Sequence, residues 1–600
     1  MKKKLSIIMA LCMVLSVCFF SVAAEEVAVG SVAADYKPAE GAIAITDAAG
    51  FAAMAADGNY YLANDITVDA TWNKTSDTYK ENTPFTGVLD GNGKTITASA
   101  PLFIYLNGTV KNLTIEGTIT VEKLYGAAIT MWSNAEFTVE NVYNKANVTG
   151  GSTSGAMLGY GASGCKATFT GCRNDGVITG GGQTGGIAGY IQGTEVTITD
   201  CVNNGDINPS SYGAGIIGRF GKDKSDNTYT ITIKNCVNNG KVTSGGDQNS
   251  GILGYAIGTI VIDNCVNNGD ITTTGKNAGG ILGHLSSYKN DDKTYRRYSS
   301  SLITNCVNNG TITGVTAVGG IAGRNGNNHD SFEGSNGYKV VNCINNGDVI
   351  VNAGSGSVNA AGIVGYGWGG DGTNGNGIYN CVNNGDVTIK GGTGTIYVGG
   401  IMGYVNCTTY IVENCINAGA VSSEVAPKTA ALIVYNKSAN AVGISNCYSV
   451  ASGNIPVCLK GDPAELYEGV STVATAEQIA NGTVAGLINE AVGKTVYYQA
   501  IGTDKAPVLT AAEDGSNAIV KNADGTFGNP APEAETTEPA PETTEPAPET
   551  TEPAPETTEP APETTEPGSS TPTGDSALIF AVIAVISVLG VAVVAKKREN

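Results

Sequence analysis

One six-residue phrase recurs along this chain and limits what the chain can fold into. Asn264-Cys265-Val266-Asn267-Asn268-Gly269 is its clearest copy. The cysteine slot returns at Cys201, Cys236, Cys306, Cys343 and Cys381, with looser copies at Cys172, Cys415 and Cys447. Two earlier copies, Asn141-Val142-Tyr143-Asn144 and Asn112-Leu113-Thr114-Ile115, put an apolar residue where the sulfur would be. The slot therefore selects a small or medium hydrophobe rather than a thiol. Eleven copies between positions 113 and 447 give a mean period of 334/10, or 33.4 residues.

A second phrase alternates with the first. Gly185-Gly186-Ile187-Ala188-Gly189-Tyr190 returns as Gly280-Ile281-Leu282-Gly283-His284, Gly320-Ile321-Ala322-Gly323-Arg324, Gly362-Ile363-Val364-Gly365-Tyr366 and Gly400-Ile401-Met402-Gly403-Tyr404. A period of this size means a stacked array in which each unit buries its apolar side against its neighbours. The apolar runs are short, rich in Val, Ile and Thr, and punctuated by Gly and Asn-Gly, which is strand and turn chemistry. About three such runs fit one period, as in Gly251-Ile252-Leu253-Gly254, Thr259-Ile260-Val261-Ile262 and Asp270-Ile271-Thr272. The expected fold is all-β, a parallel β-helix of about twelve turns and, at ~4.8 Å per turn, roughly 60 Å long. In-register stacking makes the Asn residues amide ladders and points the cysteines inward, too parallel to pair as disulfides. Asn-Asn-Gly is expected to supply the left-handed backbone of a sharp corner.

Taken in order, residues 1–24 read as a signal peptide: Lys2-Lys3-Lys4, an apolar run and Ala23-Ala24. Cys18 does not suit a lipid anchor, because Phe19-Phe20 continue the run. Residues 25–110 form the expected N-terminal cap and first strands, with a helix from Thr46 or Asp47 to Ala56, stopped by Gly58. The β-helix proper is expected over 111–449. A C-terminal cap follows over 450–528, with short helices after Thr475 and at Ala485–Asn489, then a strand at Val496-Tyr497-Tyr498-Gln499.

The alternating Gly-Gly-Ile-x-Gly-Tyr and Asn-Cys-x-Asn-Asn-Gly phrases resemble the GLUG-motif repeats of bacterial surface proteins. Asn59-Tyr60-Tyr61-Leu62 followed by Leu89-Asp90-Gly91-Asn92-Gly93 resembles the start of such domains, so the likeness spans roughly residues 45 to 510. It implies a right-handed β-helix-like surface domain and brings no catalytic residues. Some proteins with this repeat also carry a His-Glu-x-x-His metallopeptidase. The two histidines here, His284 and His329, do not have that spacing.

From 529 to 570 the composition changes to Pro, Glu, Thr and Ala, a segment unable to bury a core and expected to be a disordered stalk. Its eleven glutamates and lack of any basic residue supply over half of the formal net charge of −21. As extended polyproline II at ~3.1 Å per residue it reaches about 120 Å. Residues 571–600 then hold Thr571-Pro572-Thr573-Gly574-Asp575, an apolar run at 577–595 long enough for a transmembrane helix, and Lys596-Lys597-Arg598. That order resembles the sorting signal of Gram-positive cell-wall proteins, Leu-Pro-x-Thr-Gly. It departs from it by lacking the Leu and any residue between Pro572 and Thr573. Two outcomes stay open: covalent cell-wall attachment at Thr573, or membrane retention through 577–595. Both place the repeats on the outer face of the cell envelope.

Insertions in a solenoid map to one face, which is often the binding face. The longest here are Lys222–Asn227, Ser286–Ser300 and Asn325–Tyr338. The middle one carries Tyr288, Lys289, Tyr295, Arg296, Arg297 and Tyr298, rings and cations suited to sugars or anionic groups. Carboxylates recur at Asp206, Asp270, Asp348 and Asp386, and 348 and 386 on adjacent turns would match the ~5 Å of a retaining glycosidase pair. However, Lys241, Thr311 and Ala420 hold the same corner elsewhere, and Asp after Asn-Gly is ordinary turn chemistry. The acidic balance disfavours nucleic acid. No phosphate loop, zinc cluster or nucleophile elbow appears, so no metal or cofactor is expected. The expected function is a non-enzymatic surface adhesin binding a host or microbial glycan or surface protein. The alternatives are a polysaccharide lyase or glycosidase on the same scaffold, and a passive spacer.

Overall fold

In the computed structural model the chain is described over residues 28–531, apart from 124, 223–228, 287–300, 327–337, 368–375, 406–409, 426–427, 434–441, 451–454 and 458–470. One turn shows how the repeat is built. Thr259–Asp263, Val266–Asn267 and Ile271–Thr273 join the larger of two parallel sheets, of 35 strands, and Ala278–Gly279 with Leu282–Ser286 join the smaller, of 20. Every one of these five strands pairs in parallel with its counterpart one repeat later, for example Val266 with Val307, Ile271 with Ile312 and Leu282 with Ala322. The fold is therefore all-β and β-helix-like, with few helices.

The expectation of three runs per turn is corrected to five short strands. Ile252 and Leu253 are both fully buried. Alternation along a strand would put one of two consecutive residues outside, so both can face the core only where the chain bends between Asn249–Ser250 and Leu253–Ile257. Gly251 makes that bend possible, because a β-carbon there would lie 2.2 Å from the Asn267 side chain.

The left-handed corner also differs from expectation. It falls on the residue before the cysteine: Asn235, Asn264 and Asn305 have φ of 53°, 53° and 54°. The glycine of Asn-Asn-Gly serves a different need. A β-carbon on Gly269 would sit 1.9 Å from the carbonyl oxygen of Gly240 on the turn below. The repeat thus uses Asn for a backbone conformation and Gly for a close approach.

Inside the coil one apolar cluster runs continuously from Ile45 to Cys447. The ten cysteines among the described residues are all buried and free, as in-register stacking requires. At the N-terminal end Phe51 enters this cluster from helix α1, Ala48–Ala52, whose N-cap Asp47 accepts the Gly50 amide at 2.8 Å. The helix ends four residues before the expected Ala56. Trp72, Phe85 and Phe103 pack beside Phe51 with ring centroids 4.9–6.0 Å apart.

The C-terminal helices are α2, Ala476–Ala480, with a complete Thr475/Gln478 capping box, and α3, Thr483–Val492. They lie along the flank of the coil rather than over its end. Ile479, Val484, Ile488 and Tyr497 cluster with Val382 and Ile416, the outward-facing residues that follow cysteine in the repeat. The strand expected at Val496–Gln499 reduces to one antiparallel bridge, Tyr498 with Val508, because Asn489 already holds the amides of Val496 and Tyr497. No helix among the described residues is long and apolar enough to cross a membrane. The segments 1–24, 532–570 and 571–600, with the apolar run 577–595, lie outside the described residues.

Candidate functional site

The residue after each Gly-x-x-Gly sits on the last strand of the turn, and parallel pairing stacks these residues into a ladder. Tyr105 pairs with Trp132, Trp132 with Tyr160, Tyr160 with Tyr190, and Tyr190 with Arg219. The column continues through Tyr255, His284, Arg324, Tyr366 and Tyr404. Ten turns in succession therefore place a ring or a guanidinium on one side of the coil, with Tyr160, Arg219, Arg324 and Tyr404 partly exposed and the other six buried. These side chains belong to clusters separate from the main core: Tyr105 and Trp132 pack with Ile104 and Met131, and Tyr366 packs with Ala317 and Tyr404.

Contacts along the column are close. Tyr105 meets Trp132 edge-on at 4.3 Å, Tyr160 meets Tyr190 at 5.4 Å, and Tyr366 and Tyr404 stack at 5.1 Å with planes 6° apart. The Arg219 guanidinium lies 4.6 Å from Tyr190, 5.4 Å from Tyr212 and 5.1 Å from Tyr255. Arg324 lies 4.8 Å over Tyr366, and its Nε donates to the Gly326 carbonyl at 2.9 Å. Burial holds the Arg324 guanidinium below the ordinary arginine pKa. The Tyr160 phenol is pushed well above its ordinary value, first by burial and then by Tyr190.

Beside the column opens a cleft of about 360 Å³. Arg324, Tyr366, Tyr404 and Tyr397 form its aromatic and cationic side, and Lys276, Asn277, Thr316, Ala317, Ser357 and Asn359 complete the lining. Tyr397 leans on Tyr404 at 5.2 Å and 59°, so the rings make two walls. Among the described residues the lining carries no carboxylate. It offers flat apolar ring faces, amide and hydroxyl hydrogen bonds and positive charge, which suit a small polar ligand with one apolar face.

The corner carboxylates do other work. Asp206 Oδ1 accepts the amide of Lys241 at 3.0 Å, Asp270 that of Thr311 at 3.0 Å, Asp348 that of Asp386 at 2.9 Å and Asp386 that of Ala420 at 2.8 Å. Each ties its corner to the next turn. Among the described residues no group of acidic, thiol or imidazole side chains is arranged to hold a metal. Tyr288, Lys289, Tyr295, Arg296, Arg297 and Tyr298 lie outside the described residues, as do Pro572, Thr573 and Gly574. The rungs from Tyr190 to Tyr404 were present in the sequence as the Tyr, His or Arg closing each Gly-x-x-Gly phrase, but 27 to 42 residues separate successive members of the ladder.

No family model matches the chain. No curated protein matches it either. One solved structure is similar, a crystal structure from Bacteroides ovatus named a "putative immunoglobulin A1 protease". The identity is 18%, the TM-score is 0.31, and the match covers 45% of this chain and 84% of that one. A likeness at that level carries no argument about function.

Proposed function

We propose that this chain is a non-enzymatic, surface-displayed binding protein whose ladder and cleft take glycans. The observation that carries this reading is the ten-turn column of rings and cations beside an open cleft. Aromatic planes stack on the C–H faces of sugar rings, and guanidinium and amide groups bond their hydroxyls. Residues 287–300 follow Ser286, two positions beyond His284, so the loop bearing Tyr288, Lys289 and Tyr295–Tyr298 leaves the strand that carries the ladder. The repeats belong with the GLUG-type right-handed solenoids in this reading. The signal peptide, the Pro/Glu/Thr-rich stalk and an anchor at Thr573 or 577–595 hold them clear of the envelope, where a host or microbial glycan or glycoprotein is the partner.

The test is adhesion of cells displaying the full chain to mucin. Replacing both Tyr366 and Tyr404 by Ala is expected to weaken adhesion at least about tenfold, since each stacked ring contributes about 1 kcal/mol or more. Replacing Tyr295, Arg296, Arg297 and Tyr298 by Ala and Ser measures the loop's share. Unchanged adhesion in both variants would remove the site. Polysaccharide turnover that vanishes in Asp348→Asn would make the protein an enzyme instead.

A further inference from the structure

The two arginines of the ladder differ in setting. Arg219 is enclosed by Tyr190, Tyr212 and Tyr255, all within 5.4 Å, and lines no part of the cleft. Arg324 lies over Tyr366 and lines the cleft together with Lys276. The Asp247 side chain accepts the backbone amide of Lys276 at 2.8 Å, yet Asp247 is not part of the lining. In a chain with a formal net charge of −21, the charged residues that line this cleft among the described residues are two cations, Lys276 and Arg324.

We propose that this cleft selects saccharides bearing a negative charge, a carboxylate or a sulfate ester, with the sugar ring on Tyr366 and Tyr404 and the anionic group at Arg324 and Lys276. This rests on the glycan-binding reading and narrows it. The stacked pair, with planes 6° apart, gives one flat wall as wide as two rungs of the sheet. The bond from Arg324 Nε to Gly326 and the contact with Tyr366 fix the guanidinium plane, so little rotamer freedom is lost on binding an anion. Partial burial weakens water's screening, which strengthens a charge-assisted hydrogen bond relative to a neutral one.

The experiment is calorimetric titration of the full-length chain with pairs of probes differing only in charge. Trigalacturonate and 6′-sialyllactose are each compared with their methyl esters, and 6′-sulfolactose is compared with lactose. The charged member of at least one pair is expected to bind about tenfold or more tighter. The carboxylate and sulfate arms show which group is recognised. Lys276→Glu, at an exposed position that leaves the fold intact, and Arg324→Gln should each bring the charged probe down to the affinity of its neutral partner. The readout is the ratio of charged to neutral affinity, which should fall toward one in both variants, while Tyr404→Ala weakens both members of a pair alike. Equal binding of charged and neutral probes would overturn charge selection and leave the glycan reading standing. Binding of no saccharide at all would overturn both.

Discussion

Asn267 donates from Nδ2 to Asn308 Oδ1 at 2.7 Å, although 41 positions separate the two residues. The same bond links Asn238 to Asn267 across only 29 positions. The insertion of residues 287–300 leaves this register unchanged. Each amide of the buried ladder, from Asn144 to Asn417, also donates to the carbonyl two residues ahead, as Asn267 does to Gly269 at 2.8 Å. A second, exposed ladder runs beside it with the opposite polarity: Asn268 donates down to Asn239 at 2.7 Å and Asn309 to Asn268 at 2.7 Å.

The two ladders should respond differently to truncation. Asn267→Ala removes three hydrogen bonds in a dry site and leaves the neighbouring amides unpaired, a loss of about 2–4 kcal/mol. Asn268→Ala lets water replace the lost partners and is expected to change stability by less than about 1 kcal/mol. Because a solenoid opens locally, amide hydrogen exchange on the flanking turns is the measurement of choice. Similar exchange in both variants would contradict the difference in burial.

These ladders were legible in the sequence because one period fixes every rung. The same argument foretold the parallel sheets and the unpaired thiols. It could not choose which Asn turns left-handed, since both Asn264 and the Asn-Asn-Gly phrase tolerate that conformation, and the choice follows from where the chain must approach the turn below. The aromatic ladder was missed for another reason. Its column mixes Tyr, Trp, His and Arg, and its members stand far apart until stacking brings them to one strand spacing. The flank position of α2 and α3 was hidden too, because Val382 and Ile416 carry the same phrase as the open positions Val266 and Val307.

The cysteine ladder gives a pH dependence. Burial pushes the thiols of Cys201, Cys236 and Cys265 well above their ordinary pKa, and that of Cys165 up to about 12. The folded state therefore keeps its protons where the unfolded chain, with thiols near 9, releases them. Above that point the unfolded state binds fewer protons, so stability is fully present below about pH 9 and falls as pH rises. Thermal melts should drop progressively from pH 9 to 11, and a thiol reagent at pH 8, mapped by peptide mass spectrometry, should label the ten buried cysteines only after denaturation. Fast labelling of Cys201, Cys236 or Cys265 in the native protein would contradict the buried ladder.

Asp348 separates corner chemistry from catalysis. The chain already contains the relevant substitution, because Asn147 holds the equivalent corner and its Oδ1 accepts the Val177 amide at 2.9 Å. An amide oxygen does this work without a charge. Asp348→Asn is therefore expected to change stability by less than about 0.5 kcal/mol and Asp348→Ala by about 1 kcal/mol, read as unfolding midpoints. If Asp348→Asn were as damaging as Ala, the carboxylate charge itself would matter at this corner.

Tyr497 joins the flank helices to the coil. Tyr497 is fully buried, packs in the cluster of Val382 and Ile416, and donates its hydroxyl to the Asn414 carbonyl at 2.6 Å. Its ring is a large fully buried member of the seam, beside Ile479, Val484 and Ile488, and its hydroxyl satisfies the Asn414 carbonyl. Tyr497→Phe loses only the hydrogen bond, about 1 kcal/mol, whereas Tyr497→Ala opens a cavity costing about 3–5 kcal/mol. Because contacts in a solenoid reach only neighbouring turns, the damage should stay local. Hydrogen exchange in Tyr497→Ala is expected to quicken across 476–492 and the turns holding Val382 and Ile416, with no change from 196 to 273. Equal loss of protection throughout would mean that the flank helices hold the whole coil together, and the neighbour-only account of its stability would be wrong.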